Sequence, residues 1–359
     1  MKTLRAQNRV MAAVLAATVS LVAHAEGEKG YAYVSNQGGN ITVIDLASFE
    51  TVKEIATGSK SPRGIGVTAD GKLLVTANGE EGDVSLIDRV SGELVKRIPI
   101  GRNPEFVRIR GDFAFVSFEP AAVGGPPPTP GSAEALALEK EREDDDAEPA
   151  KIAVLDLKQG KVIRAITGGM ETEGIEFSAD GKRILVTNEA DENVSVHDIA
   201  SGKLVKKINT KKYGNRPRGI KMAPDGKSYV ASLEYGNKLV IMDRNFKVRK
   251  VVQTGEVPYG LAFDRKGERL FVALAKGAAL QVFDTRNYQE ITRVPTGKRC
   301  WHFSFTPDDS HILVACGKSD EVVIIDAMTM QPVKRITDKK MPWGVVTYPK
   351  SVGSLDVPQ

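Results

Sequence analysis

The sequence predicts an all-β protein, a seven-bladed β-propeller, from three observations. A V-x-V-x-D-like pattern occurs seven times, and its aspartates lie 41 to 45 residues apart except for one interval of 68. Each repeat contains four short β-branched runs bounded by Gly, Pro, Asp or Asn. Four-stranded repeats of about 40–45 residues in tandem are typical of β-propellers. The seven aspartates are Asp45, Asp88, Asp156, Asp198, Asp243, Asp284 and Asp326.

One repeat, 215–255, shows the predicted blade. A tight Pro-Asp-Gly-Lys turn at 224–227 separates the first two strands, and Asp-Gly supplies the backbone dihedral angles that a short hairpin needs. We expect the aspartate at the end of each third strand to accept backbone N–H groups in the following turn. The four predicted strands are 219–222, 228–232, 238–242 and 248–253.

The two ends of the chain are predicted to close the ring. The first repeat begins at Tyr31 and lacks its innermost strand, whereas residues 342–346 (PWGVV) provide an unpaired strand at the other end. We expect the C-terminal strand to join the N-terminal blade, because pairing the two leaves no open seam.

The N-terminal 25 residues predict a cleaved signal peptide. Lys2, Arg5 and Arg9 precede an apolar run over 10–22, and Ala23-His24-Ala25 fits an A-x-A cleavage site. A membrane anchor is the alternative, but about 13 apolar residues are fewer than the ~20 of a spanning helix. The sequence therefore predicts a secreted protein that consists of one propeller over 26–359, without a membrane span, in an oxidising compartment.

A Pro-rich and acidic insertion at 119–149 accounts for the long interval between repeats. It carries nine acidic residues against Lys140 and Arg142, so the rest of the mature chain is basic. The insertion is predicted to leave the third blade between its second and third strands, with a short helix from Ser132 to about Arg142. A solvated loop and a mobile acidic lid or docking arm both remain open for it.

The residues that enter the innermost strands are the candidate ligand-binding residues. They comprise two cations, two carboxylates and three large aromatic side chains, and a histidine follows one of them. Mutual pairing of these charges and a pocket for a small, partly planar anion or a partner's side chain are both open, since guanidinium groups bind carboxylates bidentately. The candidates are Arg63, Glu105, Glu173, Arg218, Tyr259, Trp301, His302 and Trp343.

Cys300 and Cys316 are expected to face each other across the first hairpin of the seventh blade. The hairpin turn lies midway between them, and an oxidising compartment favours a disulfide. Two buried thiols are the alternative.

The sequence indicates no cofactor and no metal site. Its four histidines and two cysteines form no CxxCH haem-attachment motif, HExxH motif or zinc pattern. We therefore predict no catalytic residue. Nucleic acid is not an expected partner, because Lys and Arg are scattered through turns.

Several segments resemble the YVTN-family β-propeller repeat: Tyr33-Val34-Ser35-Asn36, residues 69–78 and Val194 to Asp198. A narrower likeness, in residues 216–219, 297–301 and 342–346, is similar to periplasmic seven-bladed propellers associated with PQQ-dependent alcohol catabolism. That resemblance implies a binding or scaffold protein accessory to such a system. It also implies a periplasmic dehydrogenase or transport component as partner.

Two functional classes follow. The first is a periplasmic binding or scaffold protein whose channel mouth holds a small anionic ligand or a protein partner. The alternative is a propeller enzyme, a lactonase-like hydrolase or an oxidoreductase. Fold alone does not separate them, since propellers support many functions.

Overall fold

The computed structural model describes residues 29–119, 133 and 148–356. They form seven antiparallel four-stranded sheets, which confirms the predicted seven-bladed β-propeller. Blade 1 contains β28 (Pro342–Tyr348), β1 (Tyr31–Asn36), β2 (Ile41–Asp45) and β3 (Thr51–Ile55); blade 2 contains β4 (Pro62–Val67), β5 (Leu73–Asn78), β6 (Asp83–Asp88) and β7 (Leu94–Pro99); blade 3 contains β8 (Val107–Arg110), β9 (Phe113–Phe118), β10 (Lys151–Asp156) and β11 (Lys161–Thr167).

The remaining blades repeat this order from the axis outward. Blade 4 contains β12 (Thr172–Phe177), β13 (Arg183–Asn188), β14 (Asn193–Asp198) and β15 (Leu204–Asn209); blade 5 contains β16 (Pro217–Met222), β17 (Ser228–Leu233), β18 (Lys238–Asp243) and β19 (Val248–Gln253). Blade 6 contains β20 (Pro258–Phe263), β21 (Arg269–Leu274), β22 (Ala279–Asp284) and β23 (Glu290–Pro295); blade 7 contains β24 (Cys300–Phe305), β25 (His311–Cys316), β26 (Glu321–Asp326) and β27 (Gln331–Ile336). A 3-10 turn, Gly317–Ser319, follows β25.

Ring closure is confirmed. Strand β28 pairs antiparallel with β1, and Val346 lies opposite Tyr33. The innermost strands are buried along nearly their whole length, while the outermost strands expose most of their residues. This gradient places the core between the blades, where apolar side chains from neighbouring sheets interdigitate.

The repeated aspartates have the predicted role. Asp88 accepts hydrogen bonds from the backbone N–H groups of Val90, at 3.0 Å, and Ser91, at 2.7 Å. Asp326 accepts the corresponding bonds from Met328, at 3.0 Å, and Thr329, at 2.6 Å. These are Asx-type turns, and in the Asp326 turn the Thr329 hydroxyl also donates to the aspartate, at 2.9 Å.

The predicted insertion falls mostly outside the described residues. Strand β9 ends at Phe118 and β10 begins at Lys151, so the segment connects the second and third strands of blade 3. The predicted helix from Ser132 to about Arg142 lies outside them, apart from Ala133, and so does the predicted signal peptide. In the described part of the chain, no helix has the length and apolar character to cross a membrane.

Candidate functional site

The candidate ligand-binding residues meet at one end of the central channel, which we call the loop face. This face carries the turns between the second and third strands of each blade and the connections between blades. A bulge at the start of the innermost strand shifts the pairing register, for example between Pro217 and Ile220 in β16. Bulges re-aim side chains locally, and Arg218 lies within this one.

The glycines after several of these residues have a packing role. A Cβ atom at Gly260 would lie 2.5 Å from the carbonyl oxygen of Trp301 in the next blade, and Gly219 approaches the carbonyl of Tyr259 in the same way. The hydroxyl of Ser232 donates to that Tyr259 carbonyl at 2.7 Å. The glycine pattern therefore reflects close contact between neighbouring blades.

Arg218 lies at the centre of a buried ion network. Its guanidinium nitrogens lie 2.5 Å from Glu189, 3.2 Å from both Glu105 and Glu173, and 3.5 Å from Glu234. The Arg218 side chain is 7% exposed and that of Glu189 is fully buried. Four carboxylates thus surround one guanidinium group in a region from which water is largely excluded.

Two further arginines extend the network. Arg216 contacts Glu171 at 2.8 Å, Glu234 at 3.4 Å, and Glu189. Arg63 contacts Glu105 at 3.3 Å and donates to the side-chain oxygen of Asn103 at 3.1 Å. The predicted cations are therefore paired with carboxylates inside the channel mouth.

The carboxylates of this network outnumber its guanidinium groups, and the pKa values reflect this. Burial raises the pKa of Glu173 well above its ordinary value, and the neighbouring Glu105 and Glu189 act in the same direction. Burial likewise raises the pKa of Glu189, to about 8, against the opposing effect of Arg216 and Arg218. Burial opposes ionisation of Glu105 too, but Arg63 and Arg218 lower its pKa overall. Like charges in one dry site ionise only in part, so this network retains protons at neutral pH.

The aromatic candidates fill the channel beside the ion network. The His302 ring centroid lies 4.2 Å from that of Trp343, 5.3 Å from Tyr259 and 5.9 Å from Phe106. Tyr259 also lies under the Arg218 guanidinium, whose carbon is 4.1 Å from the ring centroid. The rings meet edge to face or tilted, with interplanar angles of 55° to 76°, and such contacts make a compact layer.

His302 is held from below by the C-terminal segment. Its Nδ1 lies 3.2 Å from the Ser354 hydroxyl, and its buried Nε2 has no hydrogen-bond partner among the described residues. Burial lowers the pKa of His302 well below its ordinary value, and Arg218 and Lys221 act in the same direction. The imidazole is therefore neutral at physiological pH.

The C-terminal segment 350–356 occupies the axis of the channel. Ser354 donates its backbone N–H to the Phe303 carbonyl at 3.0 Å, and Phe305 donates to Val352 at 2.9 Å. Leu355 is fully buried in the same apolar cluster as Trp301 and Trp343. The channel is thus closed beneath the aromatic layer.

A pocket of about 960 Å³ opens on the loop face above blades 1 to 3. Only Arg63 of the predicted site residues lines it. Gly79 lies beside the Arg63 guanidinium, and the buried Arg63 Nε has no hydrogen-bond partner among the described residues. The other lining residues include Gln37, Ser61, Glu80, Glu81, Arg102, Asn103 and Met341.

Sequence reasoning missed these pocket residues because they lie in connections rather than at repeat positions. Arg102 and Asn103 precede the innermost strand of blade 3, where the repeat pattern is irregular. It also missed Glu171, Glu189, Arg216 and Glu234, which complete the ion network. In the sequence, each of these four is a charged residue directly beside the innermost or the second strand of blade 4 or blade 5.

Cys300 and Cys316 occupy paired positions of β24 and β25. The structure joins them in a disulfide with a Cα–Cα distance of 3.8 Å. Both side chains are fully buried between blades 6 and 7.

The described residues contain no group of three or more His, Cys, Asp or Glu side chains arranged to bind a metal ion.

Comparison with known protein families shows which family the chain belongs to. A model of the family described as "Cytochrome D1 heme domain" matches residues 6–105 and 147–300, more than half of the chain. The chain belongs to the cytochrome d1 haem domain family. The gap in this match contains most of the predicted insertion.

A curated relative of part of the chain is the protein NirF of Pseudomonas aeruginosa. It is 35% identical over 77 residues, which cover 21% of this chain and 19% of NirF. The match therefore spans about a fifth of the relative's length.

Solved structures share the fold at low sequence identity. Hydrazine synthase of Kuenenia stuttgartiensis is 22% identical with a TM-score of 0.66, covering 82% of this chain and 91% of that one. Dihydro-heme d1 dehydrogenase NirN in complex with DHE is 17% identical, with a TM-score of 0.64 and coverage of 88% and 75%. The periplasmic gluconolactonase PpgL of P. aeruginosa is 15% identical, with a TM-score of 0.69 and coverage of 89% and 98%.

The family name implies a haem, and the described residues fit it only in part. His302 has a free Nε2, but the rings of Trp343, Tyr259 and Phe106 fill the space around it. The loop-face pocket has sufficient volume for a planar heterocycle, yet among the described residues its lining contains no His, Cys or Tyr. The thioether of Met341 is the one group in that described lining that binds haem iron in other proteins.

Proposed function

We propose that this protein is a binding propeller of the cytochrome d1 haem domain family, which holds a flat, carboxylate-bearing heterocycle in the loop-face pocket. The observation that carries the proposal is the pocket itself, with a volume of about 960 Å³ and arginines at positions 63 and 102. Ligand pockets of a few hundred to about 1,000 Å³ enclose molecules of this size.

The upper pocket is less acidic than the channel, because two arginines, Arg63 and Arg102, line it against two glutamates, Glu80 and Glu81. Within the network, the guanidinium groups of Arg216 and Arg218 are surrounded by carboxylates. Arg63 and Arg218 each have a buried Nε without a hydrogen-bond partner among the described residues, but of the two only Arg63 lines the pocket. Arg102 is exposed at the same rim. Two arginines can bind two carboxylates of one planar ligand.

Two ligands carry this chemistry. A haem with acidic side chains corresponds to the family description, and the NirN structure, a dihydro-heme d1 dehydrogenase, was solved in complex with DHE. PQQ, a planar tricarboxylate, corresponds to the sequence resemblance to propellers associated with alcohol catabolism. A periplasmic dehydrogenase or transport component that receives the ligand, and a periplasmic location after removal of residues 1–25, belong to the same proposal.

Fluorescence titration tests the proposal directly. Both tryptophans, Trp301 and Trp343, lie in the layer below the pocket, so a bound chromophore quenches their emission. We expect saturable quenching by haem or by PQQ at micromolar concentration. Arg63→Ala combined with Arg102→Ala should raise the dissociation constant about 10- to 100-fold, as expected for lost charge-assisted hydrogen bonds.

Arg286→Ala is the matched control, since Arg286 is 86% exposed in an outer turn away from the pocket. It should leave the affinity unchanged. Equal quenching of the wild type and the double variant, or none by either ligand, would contradict the proposal.

A lactonase-like enzyme is the alternative that the sequence left open. The chain is 15% identical in sequence to PpgL, and this similarity concerns the fold alone. Hydrolysis of gluconolactone by the purified protein, abolished by Glu105→Gln, would replace the binding proposal with this one.

A further inference from the structure

Lys221 places a primary amine on the channel axis, below the aromatic layer. It follows Arg218 by three positions in β16, and the residue is 2% exposed. Its Nζ donates to the Ser354 carbonyl at 3.0 Å. The equivalent positions in blades 2 and 6 are Gly66 and Ala262, so the amine is not a requirement of the repeat.

The charges around Lys221 are balanced without it. Arg108 contacts Glu176 at 2.9 Å and Asp356 at 3.9 Å, and Lys350 contacts Asp356 at 2.9 Å. Two cations and two carboxylates thus form a closed set, and a protonated Lys221 would add an excess positive charge. Burial lowers the pKa of Lys221 to about 7, helped by Arg108 and Lys350 and opposed by Glu176 and Asp356.

A pocket of about 290 Å³ opens beside this amine, on the face opposite the loop face. It lies between blades 5 and 6 and the C-terminal segment. Besides Lys221 and Glu176, its lining includes Met222, Ala262, Phe263 and Val352. The lining is therefore mostly apolar, with one amine and one carboxylate at the inner end.

We propose that Lys221 and this pocket form a covalent carbonyl-binding site, which takes a small apolar aldehyde or ketone as an imine. The uncharged amine attacks the carbonyl carbon, and a new C–N bond forms as the C=O π bond breaks. The amine nitrogen passes one proton to the oxygen to give a carbinolamine. The carbinolamine then loses its hydroxyl group together with the second proton of the amine as water, and a C=N bond forms. No oxidant or reductant is required.

The surroundings favour this step in two ways. A lysine desolvated beside other cations is a nucleophile near neutral pH. Although burial opposes ionisation of Glu176, the Arg108 guanidinium and the backbone N–H groups of Phe177 and Met222 lower its pKa, so it is ionised and stabilises the positive charge of a protonated imine. The site lies on the opposite face from the pocket in the proposed function, so either can fail without the other.

Reductive trapping tests the proposal. The full-length protein is incubated at pH 7 with benzaldehyde and sodium cyanoborohydride, and modified lysines are identified by peptide mass spectrometry. An ordinary lysine has a pKa of about 10.4, so its unprotonated fraction at pH 7 is roughly 10³-fold smaller than that of Lys221. We expect benzylation at Lys221 before any surface lysine.

Lys227 is the internal control, because it belongs to the same blade and its side chain is 79% exposed. Lys227→Met should leave the labelling of Lys221 unchanged, and Lys221→Met should remove the first label. Labelling of Lys227 as early as Lys221 in the wild type would overturn the proposal. This wild-type comparison decides the matter even if the Lys221 variant does not fold.

Discussion

Single residues in the channel mouth are coupled through shared protons and shared ion pairs. Glu189 illustrates this, because it contacts both Arg216 and Arg218 and is fully buried. The repeat pattern predicts that a side chain lies near the channel mouth at this position, but it does not predict which charged residues contact it. Its charged neighbours come from blades 4 and 5, so its pKa depends on how these two blades meet.

The raised pKa of Glu189 predicts a pH dependence of stability. Between about pH 4.3, the ordinary value for glutamate, and about 8, the folded protein holds a proton that the unfolded chain has lost. The free energy of unfolding therefore falls as the pH rises through this window, and the contribution is lost above pH 8. Glu189→Gln cannot lose this proton, so its melting temperature should fall less between pH 6 and pH 9 than that of the wild type.

Thermal unfolding followed by circular dichroism at both pH values checks this prediction. Glu93→Gln is the control, since Glu93 is exposed in an outer turn, and it should behave as the wild type. Identical pH dependence of Glu189→Gln and the wild type would show that Glu189 is ionised in the folded protein.

Strands and hairpins follow the sequence closely. The predicted strand 248–253 has the observed bounds of β19, and the predicted 219–222 begins two residues after the observed start of β16. The difference arises at the bulge, where Pro217 pairs with Leu233 before the register shifts. Alternation of buried and exposed residues predicts regular pairing, whereas a bulge depends on contact with the next blade.

The hairpin of β24 and β25 carries a prediction at this scale. The disulfide between Cys300 and Cys316 closes a loop with a sequence separation of 16, for which loop entropy predicts about 3 kcal/mol of stabilisation. Alkylation without reductant should add no label, as measured by mass spectrometry of the unfolded protein. Reduction should lower the free energy of unfolding by up to that amount.

Cys300→Ala combined with Cys316→Ala provides the comparison, because the double variant lacks the crosslink under all conditions. Its stability should not change on addition of reductant. Two alkyl labels on the unreduced wild type would mean that the cysteines are thiols.

The whole molecule depends on β28, which closes the ring with β1 and leads into the segment that fills the channel. This arrangement joins the two ends of the chain in one sheet. A closed ring leaves no unpaired inner edge at the seam.

Truncation separates these two contributions. Deletion of residues 341–359 removes both β28 and the channel segment, and we expect a sharp loss of melting temperature with exposure of the β1 edge. Deletion of 350–359 removes only the channel segment, so a smaller loss is expected. Deletion of 357–359 is the control and should leave the melting curve unchanged.

Calorimetry of the three truncated proteins measures the effects. Equal melting temperatures for the 341–359 deletion and the full chain would show that closure by β28 contributes nothing to stability.

The seven repeats, the position of their strands, the Asx turns and the pairing of the two ends can be predicted from the sequence, because each depends on local composition and regular spacing. The sequence also indicates which residues enter the innermost strands. The glutamates around Arg218, the filling of the channel by residues 350–356 and the pockets beside Arg63 and Lys221 become visible in the folded structure. These features arise where different blades and a non-repeating segment meet, and contacts between residues far apart in the chain leave no periodic signal in it.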